Sequence, residues 1–139
     1  MINFNYETNF QLENEDHMSE WIESVITDEG YLIGEINYVF CDDDYLHQLN
    51  QKYLKHDTLT DVIGFKYSVG IELQGDIYIS VDRVKENAIS YNVETLNELG
   101  RVMVHGILHF CGYEDNDPKK KALMQLKEDQ YLNTLLKIS

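Results

Sequence analysis

Residues 95–115, TLNELGRVMVHGILHFCGYED, are the most regular stretch of the 139-residue chain. Leu96, Leu99, Met103, Ile107 and Phe110 recur at the three- and four-residue spacing of one helix face. The pattern predicts a helix that starts after Asn92 and ends near Gly112, a plausible C-terminal glycine. This is the central helix of the chain, and its C-terminal end carries two histidines.

The elements around it follow from the same periodicities. Residues 2–6 alternate, with Ile2, Phe4 and Tyr6 on one side, and predict a strand. Residues 16–27 predict a helix burying Met18, Trp21, Ile22, Val25 and Ile26, with Gly30 beyond its end. Residues 35–41 predict a second strand. A helix capped by Asp42 or Asp43 then carries Tyr45, Leu46, Leu49 and Tyr53. Two short strands follow at 62–67 and 76–80, and Ser80 or Asp82 opens a helix through about residue 90. After the central helix, Asp117 caps a last helix with Pro118 in its first turn and Ala122, Leu123, Leu126, Tyr131, Leu132 and Leu135 available for packing. The order β-α-β-α-β-β-α-α-α predicts an α+β fold: a small mixed sheet of about four strands covered by helices, in one domain over residues 1–139.

Charge is unevenly spread. The formal net charge is −14, and 12 of the 25 acidic residues but none of the 11 basic ones fall in residues 1–51. So acidic a chain is poorly suited to loose, non-specific nucleic-acid binding, which depends on counterion release. A polyanionic partner would have to approach the surface built after residue 51, and acids also simply keep a protein soluble. Apolar runs are only a few residues long, so no membrane span is expected. No basic leader precedes Lys52, which makes the expectation a cytoplasmic protein. Cys41 and Cys111 lie far apart and predict two buried thiols rather than a disulfide.

His105 and His109 stand four apart on the central helix. Four residues turn a helix by about 400°, which stacks the two imidazoles one above the other. Gly112 lets the chain fold back, and Asp115 returns as a third donor; Glu114 is its nearest rival. Two imidazoles and a carboxylate suit zinc and leave a position for water. The spacing is similar to that of the metzincin proteases, which carry Glu directly after the first His as general base. Here that position is Gly106, so peptide hydrolysis by that route is not expected.

The segment HGILHFCGYED resembles the YbeY endoribonuclease signature HGxLHLxGYDH. Two further stretches resemble the same family in the same order: LNQKY at 49–53 with TDVIGF at 60–65, and GDIYIS at 75–80. The resemblance implies a zinc-dependent endoribonuclease specific for single strands. Its place would be 16S rRNA 3′-end maturation and ribosome quality control, its partners single-stranded rRNA and the small ribosomal subunit, with no DNA or membrane partner. His105 and His109 match two of the family's three zinc-binding histidines. Asp115 replaces the third, which makes the site more anionic and opens it to another divalent metal. Many members also carry an Arg where this chain has Leu54.

Cations that could share the charge of a phosphate are Lys52, Lys55, Lys66, Arg83 and Arg101; for Arg101 an ordinary surface ion pair is the default reading. Lys119, Lys120 and Lys121 crowd a helix start, which hints at an external anion or a solvated run. Asp61 and Glu114 are candidates for the general base, with a turn-forming role as the alternative for Asp61. His17, His47 and His56 read as surface or partly buried residues. Two other functions stay open: a non-catalytic, metal-stapled ribosome assembly factor, and a metal hydrolase of another substrate.

Overall fold

The computed structural model describes residues 1–54 and 60–138. The elements run in the expected order: β1 (Ile2–Tyr6), α1 (Glu15–Asp28), β2 (Leu32–Cys41), α2 (Asp43–Leu49), a π-helical turn (Asn50–Leu54), β3 (Val62–Lys66), β4 (Glu72–Ser80), α3 (Val81–Tyr91), α4 (Thr95–Phe110) and α5 (Pro118–Ile138). The fold is α+β, with a four-stranded mixed sheet ordered β1-β2-β4-β3. The β1–β2 and β2–β4 pairs are parallel and β3–β4 is antiparallel, so β3 is an edge strand.

Local chemistry sets the boundaries. Asp42, not Asp43, caps α2 by accepting the Tyr45 N–H at 2.8 Å, and Ser80, not Asp82, caps α3 by accepting from the Arg83 N–H. Strands β2 and β4 both begin earlier than their alternation suggests. The register between them shifts between Ile33 and Ile36, which breaks the period of two in their N-terminal halves. Helix α2 stops at Leu49, and the wider turn after it carries Tyr53 to an exposed position.

One face of the sheet meets α1 and α4, and α5 packs against those two helices. Ile36, Tyr38, Phe40, Leu73, Ile77 and Ile79 from the strands pack there with Trp21, Ile22, Val25 and Ile26 of α1 and with Leu99, Met103, Val104 and Ile107 of α4. Burying each such side chain stabilises by roughly 1.5–3 kcal/mol. Two polar groups in this core are matched: Trp21 Nε1–H donates to the Tyr131 carbonyl at 2.9 Å, and the Tyr38 hydroxyl donates to the Met103 carbonyl at 2.9 Å. Helix α4 approaches the sheet closely because Phe110 lies over Gly75, where a Cβ would come within 2.7 Å of its ring. Helix α5 buries Met124, Glu128, Tyr131, Leu132 and Leu135, while Ala122, Leu123 and Leu126 face outward, as does Leu96 of α4. Cys41 is buried and Cys111 half-buried; both are free thiols.

Candidate metal centre

The helical period and one glycine turn assemble three donors. His105 and His109 lie on consecutive turns at the C-terminal end of α4, with their Nε2 atoms 3.0 Å apart. The helix then closes in a paired-bond Schellman cap: the Gly112 N–H donates to the His109 carbonyl and the Tyr113 N–H to the Leu108 carbonyl, both at 3.0 Å. Gly112 takes φ +98°, a conformation that an L side chain rarely adopts. The reversal brings Asp115 Oδ2 to 3.4 Å from His105 Nε2 and 3.5 Å from His109 Nε2.

Neighbouring side chains hold that turn. The Tyr31 hydroxyl donates to the Cys111 carbonyl at 3.0 Å, and the Tyr113 hydroxyl donates to Glu29 at 2.7 Å. Glu29 also takes hydrogen bonds from Lys127 and Tyr131. Burial alone would raise the Glu29 pKa, but these three donors hold its carboxyl below the usual value.

The three donor atoms fit a divalent ion. Donors about 2.0–2.2 Å from a four-coordinate ion stand roughly 3.3–3.6 Å apart, close to the triangle observed. His105, His109 and Asp115 are the group among the described residues that can hold a metal ion. Their outer side is open, with side-chain exposures of 22%, 37% and 41%. That leaves room for water or a substrate oxygen.

Two clefts meet at these residues. One, of about 510 Å³, runs between α4 and the β3 edge and is lined by Asp61, Val62, Gly64, Lys66, His105 and His109 among others. The other, of about 630 Å³, passes between α4 and α5 and includes Asp61, Glu98, Arg101, His105, Lys121 and Glu128. Asp61 faces both clefts. Burial raises its pKa, opposed by the charge of His105. The backbone N–H and carbonyl groups of Val62, Gly64 and Lys66 point away from β4, because Asp61 and Tyr67 bond inward to Ser80 and Gln74 on alternate residues.

Several expected residues stand elsewhere. Glu114 is drawn to Lys120 at 2.8 Å and does not join the histidines. Arg101 is held by Glu128 at 2.8 Å and Asp129 at 2.5 Å, so the ion-pair reading accounts for it. Arg83 is bonded to Asp43 at 3.1 Å, and Lys52 sits over the Tyr53 ring. Neither is among the described residues lining the two clefts. Lys55 and His56 lie outside the described residues, as does the side chain of Leu54. Gly106 packs against Ile77, where even a Cβ would approach to 3.0 Å, so the position that carries the base in metzincins faces the core here.

Two acids escaped the sequence reading. Glu128 of α5 is 5% exposed, and its Oε2 meets His105 Nδ1 at 2.6 Å. Glu98, two turns before His105, is 4% exposed. The available signal was a carboxylate set among apolar positions, between Met124 and Tyr131 in one case and beside Leu99 in the other.

Fold and donors together define a class: a mixed-sheet α+β protein with two histidines and a carboxylate converging at the end of its core helix. The family model described as Endoribonuclease YbeY matches residues 2–136. The chain belongs to the YbeY endoribonuclease family. It is 55% identical over 130 residues to the Endoribonuclease YbeY of Flavobacterium johnsoniae, covering 94% of each chain. It is 54% identical to that of Flavobacterium psychrophilum, covering 95% of this chain and 94% of the relative. The solution structure of a Thermotoga maritima protein matches at a TM-score of 0.71 and 29% identity, over 97% of this chain and 89% of that one.

Proposed function

We propose that the chain is a zinc-dependent, single-strand-specific endoribonuclease acting in 16S rRNA 3′-end maturation and ribosome quality control in the cytoplasm. The observation that carries the reading is the triangle of His105 Nε2, His109 Nε2 and Asp115 Oδ2, with sides of 3.0, 3.4 and 3.5 Å. Membership of an endoribonuclease family supplies the substrate class. No helix among the described residues is long and apolar enough to cross a membrane.

His105, His109 and Asp115 would hold the ion. A divalent cation there supplies positive charge for phosphate oxygens and acidifies water. The protein's own residues do the rest. Lys66 lines the cleft beside β3 and offers a cation to the phosphate. Asp61 faces the same cleft beside His105. Its place in the cleft suits it to accept a proton from the attacking oxygen and return it to the leaving one. Glu114, committed to Lys120, is not assigned that role. The buried Gly106 leaves the protease-type base without a place.

The test is metal analysis of purified protein, followed by cleavage of a single-stranded rRNA fragment by the parent and His109→Ala. About one ion per chain is expected. His109→Ala is expected to keep its circular dichroism and lose far more activity than the roughly 10–100-fold that loss of an outer-shell partner costs. If it cuts as fast as the parent, the reading fails. No turnover by the parent at any metal loading, with ribosomal particles still bound, would favour the metal-stapled assembly factor.

A further inference from the structure

We propose that Glu128 is the positioning residue of the metal centre: it fixes His105 in the tautomer and ring orientation that present Nε2 to the point shared with His109 and Asp115. The inference rests on reading those three residues as a metal centre. A carboxylate has no hydrogen to donate, so at 2.6 Å the hydrogen between His105 Nδ1 and Glu128 Oε2 belongs to the imidazole. Nε2 is then the nitrogen with the free lone pair, and Nε2 is the atom that faces His109 and Asp115. A neutral histidine without such a partner divides between two tautomers, one of which has no lone pair at Nε2. That second form would here be favoured by His109, whose Nε2 lies 3.0 Å away and could accept its hydrogen. Glu128 removes this competing arrangement.

Arg101 completes the device. Positions 101 and 105 are one turn apart on α4, so both reach the same carboxylate on α5. Arg101 Nη1–H donates to Oε1 at 2.8 Å while His105 takes Oε2, so each oxygen of Glu128 has a partner. A carboxylate only 5% exposed needs such a counter-charge to remain in place. Asp129 holds the other end of the guanidinium at 2.5 Å. Arg101 thereby acts on Glu128 rather than on a substrate phosphate. Outer carboxylates of this kind commonly orient histidine ligands.

Two readouts separate positioning from a plain contact between α4 and α5. The first is zinc affinity, by competition with a chelator, for the parent, Glu128→Gln and Glu128→Ala. Glu128→Ala is expected to lose about 10–100-fold in affinity. Glu128→Gln, whose amide oxygen still accepts from Nδ1–H, is expected to fall between it and the parent. The second is the nitrogen-15 spectrum of the His105 ring in metal-free protein. The parent is expected to show Nδ1–H alone, and Glu128→Ala a mixture of tautomers. Equal zinc affinity in all three proteins, or an unchanged His105 tautomer in the Ala variant, overturns the proposal. If Glu128→Ala does not fold, Glu128→Gln decides it by its affinity: a loss of a few-fold supports the role and no loss overturns it. If the parent takes up no zinc, the metal reading fails, and the tautomer spectrum still judges Glu128.

Discussion

Glu98 shows how one buried side chain can carry a pH signature. It lines one cleft with Asp61, just before β3, Arg101 of its own helix and Glu128 of α5. Burial, and then the charges of Asp61 and Glu128, push its pKa up to about 7, against the pull of Arg101. The folded state therefore holds this proton more tightly than the unfolded chain, whose value is near 4.5. The corresponding stability is complete below the unfolded value and is lost as pH rises towards 7. Glu98→Gln keeps the shape and removes the charge. In metal-free protein its stability advantage over the parent is expected to grow from about pH 5 to about pH 7 and then level off. Denaturant unfolding across that range checks this, and a pH-independent difference would refute it. At this scale the histidines were legible because the period of 3.6 alone stacks positions 105 and 109, and Asp115 because a glycine stands between. Glu128 was not. It lies 23 residues after His105 on a helix with a weak apolar stripe, and only the packing of α5 against α4 brings them together.

Between elements, the decisive contact is α4 against β3 and β4, because it sets how far the histidines project past the sheet edge. Phe110 closes that contact over Gly75. A Cβ at position 75 would meet the Phe65 carbonyl at 2.5 Å and the Phe110 ring at 2.7 Å. Neither can yield easily, since one is strand backbone and the other is buried. Gly75→Ala is expected to cost about 1–3 kcal/mol, as overpacking does. It should also displace the end of α4 and weaken metal uptake, whereas a substitution at the unobstructed Gly70 turn should leave metal uptake alone. Urea unfolding and chelator competition on both variants test this; full metal uptake by Gly75→Ala would show that the contact does not set the site. The order of elements was legible from alternation and caps. The first halves of β2 and β4 were not, because a shifted register hides the period of two. Leu96, Leu123 and Leu126, which fit the helical spacing, are exposed for a related reason: which arc of a helix is covered depends on its neighbours.

For the whole molecule, the question is how a chain of net charge −14 would receive a polyanion. Four of its eleven basic groups are engaged by its own acids in ion pairs between described residues. Arg83 pairs with Asp43, Arg101 with Glu128 and Asp129, Lys120 with Glu114 and Lys127 with Glu29. Lys66 and Lys121 are exposed and line the two clefts that meet at the histidines. A single strand is therefore expected to find its phosphate contacts close to the site, at Lys66 and Lys121. Each phosphate neutralised on a single strand contributes about 0.7 to the slope of log affinity against log salt. Lys66→Ala should weaken binding of a single-stranded RNA and reduce that slope by roughly this amount. Arg83→Ala should change neither, since its guanidinium serves Asp43. Fluorescence anisotropy over a salt series measures both. An unchanged slope for Lys66→Ala together with a reduced one for Arg83→Ala would place the strand along α2 and α3 instead of beside β3.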